Sequence, residues 1–87
     1  MIITKQQLAV NLLNYLQHKT TIENLVSWAE NALMEGDIQD EEPEVVRDIL
    51  ARLGVSDVKA FGLFWEDCNE MMNKLGYVLK IDAGLVA

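Results

Sequence analysis

At 87 residues the chain has room for about one small domain, since autonomous domains run from ~50 to ~200 residues and a second core would not fit. Hydrophobic residues make up 51% and charged residues 24%, the balance of a folded core with a wet surface and not of a disordered tail. Fourteen acids against seven bases give a net charge of -7, and the bases are scattered singly, which argues against nucleic acid and anionic membrane surfaces as partners.

Cys68 is the only cysteine, so no intrachain disulfide forms and a reducing cytoplasm is expected. Met1 to Lys5 lacks the basic and apolar regions of a secretory signal, and no apolar run approaches the ~18 residues of a membrane span. The expectation is one cytoplasmic domain over residues 1–87, with a margin of about 3–5 kcal/mol that leaves room for a dimer or a partner.

Thr4 and Gln7 have the spacing of a capping box, and Leu8, Leu12, Tyr15 and Leu16, widened by Ala9 and Leu13, predict a first helix reaching His18. Thr20 and Glu23 repeat the box. Ile22, Leu25, Val26, Ala29, Ala32 and Leu33 then trace a second helix that Gly36 stops as a C′ residue. Trp28 lies at the edge of that stripe, covering the core with part of its ring exposed. Residues 37–42 form a polar, mostly acidic connector. Pro43 suits the first turn of a third helix, with Val46, Ile49, Leu50 and Leu53 inside, Glu42 and Glu44 at the positive dipole end, and Gly54 at its close.

Residues 55–63 read as a turn capped by Ser56 and ending at Gly62, with a brief strand at 57–61 as the competing pattern. Phe61, Leu63 and Phe64 make the connector apolar enough to plug the core or meet a partner. A fourth helix is predicted from Trp65 to Leu75, with Trp65, Cys68, Met71, Met72 and Leu75 inward and Gly76 as the stop. Tyr77, Leu79 and Ile81 alternate with Val78, Lys80 and Asp82, the period of a half-buried strand. Its partner would be Ile2–Thr4, residues 57–61 or a second copy, and residues 83–87 are expected to be loose. The fold class is therefore mainly α, a compact four-helix domain with one short C-terminal strand.

Constellations that would carry chemistry are sparse. Zinc needs three or four ligands, and His18 and Cys68 sit on different helices, so no metal or cofactor is expected. His18 reads as a partly exposed cation at a helix C-terminus, and Cys68 as a small core residue. Ser27 or Ser56 with His18 could be drawn as a triad, yet neither serine stands in a Gly-x-Ser-x-Gly elbow. No glycine loop cradles phosphate, because the five glycines stand far apart. Asp37, Gln39, Glu41 and Asp48 fall at the first, third, fifth and twelfth places of a calcium loop, but Glu42 occupies the glycine place and Pro43 starts a helix too early.

What remains is charge. Glu35, Asp37, Asp40, Glu41, Glu42, Glu44 and Asp48 crowd fourteen residues with only Arg47 opposing them, a field that steers a basic partner or simply solvates the face. In size, acidity and helicity the chain resembles bacterial inhibitor proteins such as nuclease-toxin immunity proteins, a likeness of general character that no motif carries. The leading expectation is a protein-binding module, inhibitor or adaptor, using Asp37, Asp40, Glu41, Glu42, Glu44 and Trp28. One alternative is a homodimer pairing the 77–82 strands as a structural or regulatory subunit. The more distant one is a small enzyme using Glu66 and Glu70, one helical turn apart, as general acid and base.

Overall fold

A computed structural model describes residues 1–57 and 62–80. Along these the chain forms β1 (Ile2–Ile3), α1 (Lys5–Leu16), α2 (Ile22–Glu35), β2 (Asp37–Ile38), α3 (Pro43–Leu53) and α4 (Trp65–Lys74). The mainly helical four-helix class is as read from the sequence. The alternative strand at 57–61 and the tail 83–87 fall largely or wholly outside the described residues, as do Ile81 and Asp82.

Helix starts follow side-chain chemistry. Thr4 Oγ1 accepts from the Gln7 amide at 3.1 Å, which occupies one of the four N–H groups that a helix leaves unbonded at its start. For α2 the cap is Thr21, not Thr20: its hydroxyl oxygen accepts from the Asn24 amide at 3.2 Å. The two threonines are equivalent in sequence, and the one that is used lets Ile22 begin the helix part-buried against the core. Pro43 opens α3, where its missing N–H costs nothing. The Asp67 carboxylate of α4 reaches back to accept from the Phe64 amide at 3.0 Å.

Two helices end in the same backbone device. After α4 the Gly76 amide donates to Asn73 O and the Tyr77 amide to Met72 O, with Gly76 left-handed at φ 90. After α1 the His18 amide donates to Tyr15 O and the Lys19 amide to Asn14 O, with His18 at φ 59. His18 thus stands past the helix end and not in its last turn, at a position that glycine would hold without strain. His18→Gly should therefore raise stability by about 1 kcal/mol, read as a higher urea midpoint; an unchanged or lower midpoint would contradict the strain.

The core gathers where the four stripes meet. Leu8, Leu12, Leu50, Leu53 and Val46 have no exposed surface and Leu25 has 2%, each large aliphatic side chain contributing roughly 2 kcal/mol by leaving water. Ala29 and Ala32 are fully buried and let α3 approach α2 closely, which makes this the most extensive helix contact. The α4 helix stands further from its neighbours and fills the gap with Met71, Met72 and Leu75, flexible side chains suited to irregular space. Three expected core positions lie further out: Leu13 and Leu33 are at the edge, and Trp65 is 45% exposed. Trp65 shares the stripe of Cys68 and Met72, but it is the first residue of α4, where the stripe outruns the core.

The strand pair lies elsewhere than expected. β1 and β2 run parallel, Ile2 opposite Asp37 and Ile3 opposite Ile38, with α1 and α2 as the crossover. Residues 77–80 form no strand: Tyr77 and Val78 are exposed and Leu79 packs part-buried against the core. Ile2–Ile3 pairs instead with Asp37–Ile38, at the head of the acidic segment.

Candidate functional site

The acidic connector is ordered by its own side chains. β2 begins it, Asp40 Oδ2 accepts from the Glu42 amide at 3.0 Å, and Gln39 Nε2 donates to Asp37 Oδ2 at 2.8 Å. Lys5, the first residue of α1, bonds the Glu42 carboxylate and lies 3.7 Å from Asp40. The Glu42 amide, followed by Lys5, holds the Asp40 carboxyl below the usual carboxylate range, and the bond to Glu42 raises Lys5. Arg47 is therefore not the only cation opposing the seven acids of this stretch. Glu41 and Glu44 point into solvent, Glu44 in the first turn of α3 where the dipole favours it.

The remaining predicted site residue stands apart from this cluster in role: Trp28 is half-buried and packs against the core. Beside the acids, large apolar side chains reach the surface that sequence periodicity did not single out. Ile2, 59% exposed, is the cross-strand neighbour of Asp37, and Met34, 80% exposed, precedes β2 in the last turn of α2. The calcium-loop spacing does not survive, because Asp37 is in a strand and Asp48 in a helix; among the described residues no group of three or more His, Cys, Asp or Glu is arranged to hold a metal ion.

A cleft of about 570 Å³ opens between α3 and α4. Val45, Ile49 and Met71 give it apolar walls, and Asp48, Arg52, Asp67, Glu70 and Lys74 surround them. Its charges are largely matched: Arg52 Nη2 lies 3.6 Å from Asp67 Oδ2 and Lys74 Nζ lies 3.5 Å from Glu70 Oε1. Glu70 thus faces Lys74, while Glu66 is exposed and lines neither this cleft nor the smaller one between α1 and α4, so the pair does not converge on a shared cavity.

A second cleft of about 260 Å³ lies between the end of α1 and the start of α4, and it brings His18 and Cys68 to one place, with Tyr15, Leu63, Phe64 and Trp65. Cys68 is 1% exposed, and burial, aided by the nearby Asp67 charge, pushes its thiol up to about 11. We expect a thiol reagent at mildly alkaline pH to label Cys68 only after urea unfolds the chain; labelling of the native protein at the unfolded rate would contradict the burial. Because the unfolded thiol releases its proton at a lower pH than the folded one, stability also falls as pH rises from about 9 toward about 11. Ser56 is 4% exposed, accepts from Arg52 Nη1 and donates to Arg52 O, both at 2.9 Å, so its hydroxyl is engaged away from His18.

No helix among the described residues is long and apolar enough to cross a membrane. Set against protein-family models, curated proteins and solved structures, the chain matches none.

Proposed function

We propose that the chain is a cytoplasmic protein-binding module, of the inhibitor or adaptor kind, that recognises a basic protein partner through the surface around the acidic connector. The observation that carries this reading is a juxtaposition: exposed Ile2 is the cross-strand neighbour of Asp37, and exposed Met34 stands three residues before it in sequence, at the head of the segment that continues through Asp40, Glu41, Glu42 and Glu44. Acids bring a basic partner in quickly and orient it, while exposed apolar side chains supply area to bury. A connector ordered by Lys5, Asp40 and Glu42 also presents its free acids with little left to order on binding, which favours affinity.

The test is capture from a native lysate with the intact chain and with the Glu41→Lys, Glu44→Lys double variant across a salt series. These two residues are chosen because reversing Glu42 would also break its bond to Lys5. The wild type should retain a basic protein that is lost as salt rises, and the variant should bind it about tenfold more weakly or worse. Equal affinity at every salt concentration sinks the reading. A second reading, a homodimer, draws on exposed Tyr77 and Val78 in a segment without a strand partner. It predicts that the chain retains only copies of itself.

A further inference from the structure

We infer that the cleft between α3 and α4 receives one apolar side chain of a basic, amphipathic segment of the protein partner, an inference that rests on the reading above and locates its anchor. The volume of about 570 Å³ lies within the ~300–1,000 Å³ over which concave sites bury a bound group. The apolar wall comes from both helices: Ile49 and Met71 belong to the core, and Val45 packs part-buried above it. An apolar side chain entering here removes water from surface on both sides, as helix-in-groove recognition does.

Charge selects the occupant. Both cations of the cleft already face carboxylates of the chain, Arg52 at Asp67 and Lys74 at Glu70, so an anionic ligand would have to displace an internal partner. Asp48 is exposed at the edge, and Glu44, one turn earlier on α3, is exposed as well and continues into the connector acids. A segment that lays an apolar residue into the cleft therefore passes a row of carboxylates, and lysine or arginine beside the anchor matches them. A second copy of the chain would bring another net charge of -7 to the same row.

The probe is a lysine-flanked amphipathic helical peptide with a single central leucine as anchor, titrated into the isotopically labelled chain and followed by amide shifts. A control peptide carries asparagine in place of that leucine. The expected result is shifts at Val45, Asp48, Ile49 and Met71 with the leucine peptide, and about tenfold weaker binding of the asparagine peptide. Val45→Trp, which narrows the cleft, should weaken the leucine peptide by a similar factor, and exposed Asp48→Lys gives the same test without touching the packing. Equal binding of the two peptides, or shifts confined to residues 37–44 and abolished by the Glu41→Lys, Glu44→Lys variant, overturns the cleft as anchor and leaves the acidic-face reading standing. Binding of neither peptide overturns both. Self-association of the chain that Val45→Trp abolishes overturns the inference by making a second copy the occupant.

Discussion

Replacing Gly36 by alanine should lower stability by about 2–3 kcal/mol, the upper part of the range for forcing atoms into a packed site. The reason is not its backbone angles, because φ -76 and ψ 147 suit any residue. A Cβ there would lie 2.3 Å from the Ala32 carbonyl oxygen and 2.9 Å from Ile3 Cγ1, so a methyl group must push the last turn of α2 or the β1 strand aside. The clash with a backbone oxygen has no cheap relief, since moving that turn also moves the start of β2. Against a total of only about 3–5 kcal/mol for so small a core, the variant should sit close to its unfolding midpoint in dilute buffer. Urea titration of both proteins measures this directly. Gly54→Ala is the control: its conformation is right-handed helical and the nearest contact of an added Cβ is 3.4 Å, so the same substitution should be neutral or stabilising by about 0.4–1 kcal/mol. Equal midpoints for Gly36→Ala and wild type would refute the close approach.

That glycine also shows how far the sequence could be read. As a helix stop before an acidic stretch it reads as a C′ residue, and α2 does end at Glu35; the close approach of the N-terminal strand is not legible. Strands of two residues carry no period-2 signal, and Asp37–Ile38 begins a segment dominated by acids. The alternation at 77–82 is the stronger strand pattern, yet residues 77–80 form no strand. Helices were legible because their cause is local and repeated: Val46, Ile49, Leu50 and Leu53 are all buried where spacing placed them, as are Cys68, Met71, Met72 and Leu75. Spacing names a face without saying where the core ends, which is why Leu13, Leu33 and Trp65 share the stripes of core residues and yet lie outside the core.

The candidate surface was legible in its charge and not in its contacts. Seven acids in fourteen residues are visible in any reading of the chain. That Lys5 closes on Asp40 and Glu42 depends on the crossover that brings the start of α1 beside the connector, across 37 residues of sequence in the case of Glu42. The α3–α4 cleft was hidden for a similar reason. Its apolar walls are the inner stripes of two helices, and only their separation, bridged by methionines, turns part of those stripes into a surface.

Arg52→Met should cost about 2 kcal/mol, and its effect should concentrate at the junction of α3 with α4. In sequence Arg52 is one of several scattered cations. In the fold it donates to Ser56 Oγ at 2.9 Å and to the Gly62 carbonyl at 3.2 Å, and it lies 3.6 Å from the Asp67 carboxylate. Asp67 in turn caps α4 through the Phe64 amide, so one guanidinium ties the end of α3, the turn after it and the start of α4. Methionine keeps the reach and the apolar stem while removing every donor. Hydrogen bonds from a charged donor contribute about 1.5–3 kcal/mol when well shielded, but Arg52 and Asp67 keep about a third of their side-chain surface in water, which weakens the ion pair and justifies the lower figure. The buried Ser56 hydroxyl retains the Arg52 carbonyl as acceptor and limits the damage. Amide exchange should therefore quicken at Phe64 and in the first turn of α4 more than in α2, where the core is held by Leu25, Ala29 and Ala32. Arg52→Lys should recover less than half of the loss, because a single ammonium cannot reproduce the planar set of donors that reaches Ser56 and Gly62 together. A variant within about 0.5 kcal/mol of wild type, or exchange that quickens evenly along the chain, would show that the junction is held by packing alone and that the guanidinium is incidental to it.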